Sequence, residues 1–299
     1  MAPGISSVYI GADIGGTKTL VVACDVSARE LRRQRFATPL SLSEGLDRLV
    51  TAIATVAGNA RIAAIGVSIG GPIDRSRGTV SPPHQPEWRE VPLRSLLEER
   101  FGCPCRIEVD TDAAALGEWY LGHVRESPLV YLTLSTGIGG ALVLDGQLYR
   151  GAGGTHPEPG HQTVPNEFGD REPIRCACGA FNCLEALISG RALQQRFGQS
   201  PEHLPAGVWE QVGRILGHGL RNIALLYAPR RIVLGGGLAI GAAERLVPVA
   251  QAMLQEAVRL VPVPRLAVSV FGAEASLWGA VGLALGYGCD PAPMETERS

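Results

Sequence analysis

The sequence predicts an α/β protein made of two related domains. Its 299 residues suit two modest domains or one large one, and 45% hydrophobic residues are enough to bury a sizeable core. The 38 glycines against 5% aromatic residues indicate many tight backbone turns. A pattern of strand, glycine turn and strand at residues 8–25 returns at residues 129–149. Such an internal repeat is typical of two similar halves that follow one another along the chain.

The elements of the first half follow from the spacing of apolar residues. Short β-branched runs at 8–25 predict two strands, and apolar spacing near 3.6 at 40–58 predicts a helix. Further along we expect a strand at 63–69, a turn at 70–72, a proline-rich loop at 80–88, a helix at 91–101, a strand at 106–109 and a helix at 111–121.

The second half begins after Pro128 with two strands and a hairpin at Asp145-Gly146. A loop with little regular structure follows at 151–185. We then expect helices at 183–197, 208–227, 242–258 and 274–285, and a strand and turn at 231–237. The predicted domains are residues 1–117, completed by the C-terminal helix 274–288, and residues 118–273, which contain the loop.

Charge and composition exclude several classes of function. The net charge of −2 and the lack of a basic run argue against nucleic acid or a membrane surface as the main partner. The N-terminus lacks the features of a signal peptide, and no apolar stretch reaches the eighteen residues that span a bilayer. Seven cysteines, an odd number with one cluster spaced for metal, indicate a reducing cytoplasm.

The loop 151–185 contains a candidate metal site. Cys176, Cys178 and Cys183 form C-x-C-x₄-C, and His161 precedes the first of them by fifteen residues. Three thiolates and one imidazole make a complete tetrahedral set for zinc, and a closed set indicates a structural rather than a catalytic ion. The alternative is three buried thiols that happen to fall together.

Three glycine-rich turns are candidate nucleotide sites. In the first two, glycines let backbone N–H groups approach phosphate oxygens. The third follows an apolar strand and would let a base or ribose lie flat against the backbone, with a simple strand-to-helix turn as the alternative. In the first, Asp13 at a strand end can hold a hydrated Mg²⁺, and Lys18 can offer a charge to phosphate. The alternative is a tight hairpin with a surface lysine. The candidate cofactor-binding residues are Asp13, Gly15, Gly16, Thr17 and Lys18 in the first turn, Thr136, Gly137 and Gly139 in the second, and Gly235, Gly236 and Gly237 in the third.

Four carboxylates are candidates for chemistry or recognition. Asp110 follows a strand where a helix begins, which suits a general base towards a hydroxyl, and Asp112 competes for that role. An N-cap or salt-bridge aspartate is the alternative. Glu158 and Glu185 flank the metal loop, where carboxylates can accept hydrogen bonds from vicinal hydroxyls. Solvent-facing acids are the alternative for this pair.

Together these motifs resemble the ROK family (repressor, open reading frame, kinase) over nearly the whole chain. The resemblance rests on DIGGTK at 13–18, LSTGIGG at 134–140, E-x-G-H at 158–161 and CACGAFNCLE at 176–185. It implies a two-domain actin-like (ribonuclease H-like) ATPase fold with an inserted structural zinc loop. The implied activity is ATP-dependent phosphorylation of a hexose (glucose, fructose or mannose) at the 6-hydroxyl, with Mg²⁺, in a cytoplasmic homodimer.

The resemblance also implies roles for single residues. Asp110 is then the catalytic base, and the zinc ligands are His161 and the three cysteines of the loop. The implied sugar-binding residues are Gly71, Pro72, Asp110, Glu158, His161 and Glu185.

The chain departs from the family pattern at Val109, where an asparagine that would hydrogen-bond the sugar is usual. His156-Pro157-Glu158 looks like the corresponding motif of fructokinase-type members. Alternatives within the family are an N-acetylhexosamine or N-acetylmannosamine kinase, a sugar-binding protein without catalysis, and a transcriptional regulator. For a regulator, a first strand at about residue 8 leaves no room for the usual helix-turn-helix. Polyphosphate in place of ATP as donor also stays open.

Overall fold

The computed structural model describes residues 7–288, and these residues form two compact units. Unit 1 contains the described residues up to His123 together with those from Ser276 onward. Unit 2 is Val124–Ala275. The boundary expected near residue 117 lies inside a helix, Asp110–Tyr120, and the chain leaves unit 1 after that helix has ended.

Unit 1 is built on a five-stranded mixed sheet. Its strands and the small pair beside them are β1 (Ser7–Ile14), β2 (Lys18–Cys24), β3 (Glu30–Ala37), β4 (Arg61–Ile69), β5 (Ile73–Asp74), β6 (Thr79–Val80) and β7 (Cys105–Val109). The sheet order is β3-β2-β1-β4-β7, and β5 pairs with β6. Strands β1, β2 and β3 are antiparallel neighbours, whereas β4 runs parallel to both β1 and β7.

Three helices of unit 1 follow its strands: α1 (Leu42–Ala57), α2 (Leu93–Phe101) and α3 (Asp110–Tyr120). The apolar face of α1 buries Leu49 and Ile53 in the same cluster as Ile10 and Val67 of the sheet. Because β7 ends at Val109 and α3 begins at the next residue, the strand presents the start of α3 at the carboxyl edge of the sheet.

Unit 2 repeats the architecture of unit 1. Its strands are β8 (Leu129–Leu134), β9 (Ile138–Leu144), β10 (Gln147–Leu148), β11 (Arg231–Gly235) and β12 (Arg265–Val268). The order β10-β9-β8-β11-β12 has the same sequence of antiparallel and parallel pairs as the first sheet. The hairpins β1–β2 and β8–β9 therefore occupy equivalent places in the two sheets.

The helices of unit 2 are α4 (Leu184–Ile188), α5 (Gly190–Phe197), α6 (Ala206–Tyr227), α7 (Gly237–Gly241) and α8 (Ala243–Ala257). The prediction of one continuous helix at 183–197 is wrong. Ser189 is extended between α4 and α5, and its hydroxyl accepts a hydrogen bond from the Ala192 N–H at 3.2 Å, which caps the second helix. Among residues 7–288, no helix has the length and apolar character needed to cross a membrane.

The last helix, α9 (Ala275–Ala284), packs against the sheet of unit 1. Its backbone comes so close that a Cβ on Gly66 of β4 would overlap the Ala280 carbonyl oxygen. A Cβ on Gly279 of α9 would likewise overlap the carbonyl oxygen of Ala113 in α3. These glycines are required by packing, and they fix α9 beside the start of α3.

Candidate active site

The first glycine turn joins β1 to β2 at residues 15–17. The Gly15 N–H donates to the Lys18 carbonyl oxygen at 3.0 Å and closes the turn. Gly16, Thr17 and Lys18 are exposed. Within the described part of the chain, the N–H groups of Gly16 and Thr17 have no protein acceptor. Two adjacent donors of this kind are suited to the oxygens of a phosphate.

The second glycine turn joins β8 to β9 at residues 135–137. The Ser135 N–H donates to the Gly137 carbonyl oxygen at 2.9 Å, and Gly139 lies opposite Thr133 in the ladder. Here the N–H groups of Thr136 and Gly137 have no protein acceptor within residues 7–288. The two turns thus present the same pair of donors at equivalent positions.

The glycines of the third set differ in their surroundings. A Cβ on Gly235 would overlap the Tyr131 hydroxyl, and Gly236 has a φ of 84°. Both glycines are therefore required by the fold itself. Gly237, the first residue of α7, has open space where a Cβ would stand, so it is the member of the set that a ligand could approach.

Asp13 lies at the end of β1 and is half-buried. Burial raises the pKa of its carboxyl from 3.8 to about 6, and the Asp110 carboxylate also raises it, while hydrogen bonds from Ser68 and Ser276 and the charge of Lys18 oppose the shift. The Ser68 hydroxyl donates to Asp13 Oδ1 at 2.9 Å. A desolvated carboxylate with two serine donors suits a divalent cation, which would favour its ionised form.

We expect the stability contribution of Asp13 to fall as the pH rises. Its folded pKa lies above the unfolded value, so the contribution is fully present below about pH 3.8 and is lost as the pH rises through about 6. The side chain of Asp13→Asn does not titrate. The unfolding temperature of this variant minus that of wild type should therefore rise between about pH 3.8 and pH 6 and stay constant above pH 6. Thermal unfolding of both proteins across this range, without Mg²⁺ or nucleotide, tests the prediction; a pH-independent offset would contradict it.

The structure separates the two aspartates at the start of α3. Asp110 is exposed, and its Oδ1 accepts a hydrogen bond from the Thr111 N–H at 2.7 Å. Asp112 is fully buried and pairs with Arg75 at 3.1 Å, while Arg75 also binds the buried Glu108 at 2.5 Å. Asp112 is therefore committed to an internal ion pair, which leaves Asp110 as the aspartate of α3 that a substrate can reach.

Val109 and Gly71 pack together. Val109 is buried, and a Cβ on Gly71 would lie 3.5 Å from its Cγ2. Pro72, the next residue of this turn, is exposed. Val109 thus makes an apolar contact with the turn at 70–72, and its side chain offers no hydrogen bond there.

The four predicted metal ligands converge. The ligand atoms of His161, Cys176, Cys178 and Cys183 all lie within 4.8 Å of one another. His161 Nδ1 is 3.5 Å from Cys176 Sγ, and Cys178 Sγ is 3.6 Å from Cys183 Sγ. Sulfur ligands at 2.3 Å from a tetrahedral zinc stand about 3.8 Å apart, so the spacing and the donor set both fit zinc.

Burial raises the pKa of the Cys183 thiol to about 12, and the backbone N–H of Ala180 lowers that of Cys178. A bound cation would favour the thiolate form of Cys183 against the effect of its burial.

The two glutamates of the metal loop have different surroundings. Glu158 is exposed, and its carboxylate is 3.6 Å from His156 Nε2. Glu185 lies in the first turn of α4, and its Oε2 accepts a hydrogen bond from the Ile138 N–H at 2.8 Å. Three features were not found from the sequence: this contact with the second glycine turn, Arg75 and Glu108. No motif marks residues that meet only after folding.

The two equivalent sheets, each with a glycine hairpin, define a two-domain actin-like ATPase fold with an inserted loop that could hold zinc. The model of the ROK family matches residues 9–286, so the chain belongs to this family. It is 30% identical to the glucokinase of Streptomyces coelicolor, over 92% of this chain and 96% of that protein. An N-acetyl-D-glucosamine kinase of Citrobacter koseri is 32% identical, over 77% of this chain and 84% of that one.

Solved structures agree with this assignment. The ROK hexokinase of Thermus thermophilus is 33% identical with a TM-score of 0.75, over 94% of this chain and 97% of that one. A ROK family glucokinase of Streptomyces griseus, solved with glucose and AMPPNP, is 28% identical with a TM-score of 0.77, over 92% of this chain and 98% of that one.

Proposed function

We propose that this chain is an ATP-dependent sugar kinase that phosphorylates glucose, fructose or mannose at the 6-hydroxyl, with Asp110 as general base. Relatives named glucokinase and a ROK hexokinase structure support the class of sugar kinase. The proposal that Asp110 is the general base rests on one contrast within α3: Asp110 is exposed, whereas Asp112 is buried in an ion pair.

In the proposed chemistry Asp110 takes the proton of the 6-hydroxyl as that oxygen attacks the γ-phosphorus of ATP. The bond from this phosphorus to the oxygen that bridges it to the β-phosphate breaks, and ADP leaves. The paired N–H groups of Gly16 and Thr17, and of Thr136 and Gly137, would donate to phosphate oxygens as charge spreads over them. Mg²⁺, held near Asp13, would neutralise part of the same charge. Direct transfer from ATP to the sugar needs hydrogen-bond donors to the phosphate oxygens and no covalent enzyme intermediate. The N–H groups of these two turns would be such donors.

Sugar recognition is proposed for Gly71, Pro72, Glu158, His161 and Glu185. The Nδ1 atom of His161 faces the cysteine sulfurs, which leaves Nε2 for a sugar hydroxyl. The exposed Glu158 can accept hydrogen bonds from neighbouring hydroxyls. In this proposal zinc is structural: His161, Cys176, Cys178 and Cys183 would hold it, and it would fix the orientation of the imidazole.

A second candidate is an N-acetylhexosamine kinase, which the 32% identity to the Citrobacter koseri enzyme favours. Val109 is relevant to both candidates, because its side chain cannot form a hydrogen bond that would help to select a sugar. A homodimer and a cytoplasmic location stay predictions.

A coupled ADP-release assay with a panel of hexoses and N-acetylated amino sugars tests the function. We expect glucose, fructose or mannose to give the highest kcat/KM with ATP. A preference for an N-acetylated sugar would favour the second candidate. ADP release that no sugar stimulates would contradict both.

A further inference from the structure

The carboxylate of Glu185 contacts the second glycine turn. Its Oε2 accepts a hydrogen bond from the Ile138 N–H at 2.8 Å, and a Cβ on Gly137 would lie only 2.7 Å from the same oxygen. The carboxylate therefore lies directly against the second glycine turn. Hydrogen bonds to a charged acceptor are roughly twice as strong as neutral ones, so this contact is well suited to fixing a short loop.

The same turn is bound at two further points by the start of α5. The Gly190 N–H donates to the Ser135 carbonyl oxygen at 2.7 Å, and the Arg191 N–H donates to that of Thr136 at 3.3 Å. Gly190 has to be glycine, because a Cβ there would lie 2.8 Å from the Ser135 oxygen. The turn is thus held on both sides by a segment that begins at the metal-ligand residue Cys183.

The contacts from Glu185 and α5 orient the N–H groups of Thr136 and Gly137, which have no protein acceptor within residues 7–288. Carbonyl oxygens of Ser135 and Thr136 are occupied by α5, and the Ile138 N–H is occupied by Glu185. The Thr136 N–H shares a peptide plane with the Ser135 carbonyl, and the Gly137 N–H shares one with the Thr136 carbonyl, so both N–H groups point away from the start of α5. A negative charge so near a phosphate is unfavourable by itself, so its benefit has to come through orientation of the turn.

We propose that Glu185 is a positioning residue for the nucleotide: its carboxylate holds the second glycine turn in the conformation that binds phosphate. This inference rests on the proposed function, since it assumes that the turn binds ATP. It adds to any contact that Glu185 makes with the sugar. The segment Cys183–Arg191 would then link the metal loop to phosphate binding as well as to sugar binding.

The test is calorimetric binding of AMPPNP with Mg²⁺ in the absence of sugar. We expect Glu185→Ala to weaken binding about tenfold, the loss of one hydrogen bond to a charged group. Glu185→Gln keeps an oxygen acceptor for the Ile138 N–H and should stay within about threefold of wild type. Glu244→Ala, which removes an exposed first-turn glutamate of α8, is the matched control and should bind as wild type.

Glu185→Asp is the second variant if Glu185→Ala does not fold, because its shorter side chain withdraws the carboxylate from Ile138 and should also weaken binding. Wild-type affinity in the Ala or Asp variant would overturn the inference and restrict Glu185 to the sugar. Equal losses in the Gln and Ala variants would overturn it too, since charge and not the acceptor would then matter. If wild type itself binds no AMPPNP, the proposed function fails as well.

Discussion

We expect the replacement of Asp110 with Asn to lower kcat by at least ~10², the lower end of what general-base catalysis contributes. The amide has nearly the same shape but cannot accept the proton of a sugar hydroxyl. Because Asp110 is exposed, the unfolding temperature should hardly change. The measurement is steady-state kinetics with ATP and the best sugar, together with thermal unfolding of the same preparation.

Asp112→Asn is the matched control, two residues away on the same helix. Asp112 is buried and paired with Arg75, so this variant should lose about 1–3 kcal/mol of stability while kcat stays within about threefold. The two substitutions therefore separate catalysis from stability. An Asp110→Asn enzyme with near-normal turnover, or an Asp112→Asn enzyme that is stable and inactive, would contradict the assignment of the base.

Replacing Cys183 with Ser has the largest expected effect on structure. The residue is fully buried, is one of the four converging candidate ligands and leads directly into α4. Loss of a structural zinc ligand should remove about 3 kcal/mol or more, roughly 5 °C in unfolding temperature for a protein of this size. Because Cys183 lies two residues before Glu185, both sugar and nucleotide binding should weaken.

Metal content by mass spectrometry gives the direct measurement. Wild type should contain one equivalent of zinc, and Cys183→Ser much less. Cys103→Ser is the control, since Cys103 is a buried cysteine outside the cluster and its loss should leave the zinc in place. If Cys183→Ser kept a full equivalent of zinc, the proposed ligand set would be wrong.

Much of the fold could be predicted from the sequence because its central strands are apolar. Strands β1, β4 and β8 are short β-branched runs between glycine turns, and this pattern distinguishes them from helices. Strand β3 was not predicted: its sequence ELRRQRFA is charged and mostly exposed at a sheet edge. Strand β12 is also an edge strand, and only partly buried, so it carries an equally weak signal.

Only those residues of the candidate site that belong to local sequence motifs could be predicted. The spacing of the cysteines and His161 marked a cluster that the structure brings together. The choice between Asp110 and Asp112 depended on Arg75, which is 37 residues before Asp112 in the chain and invisible to any local pattern. Similarly, Glu185 reaches Ile138 across 47 residues, so its contact with the glycine turn follows from packing rather than from a motif.

Phosphoryl transfer from ATP to the 6-hydroxyl of a hexose is tested most directly by phosphorus NMR of the product. The enzyme would be incubated with ATP, Mg²⁺ and the best hexose of the panel. We predict equal amounts of ADP and hexose 6-phosphate, and almost no product with Asp110→Asn. Phosphate on another hydroxyl, or ADP formed without a sugar phosphate, would contradict the account.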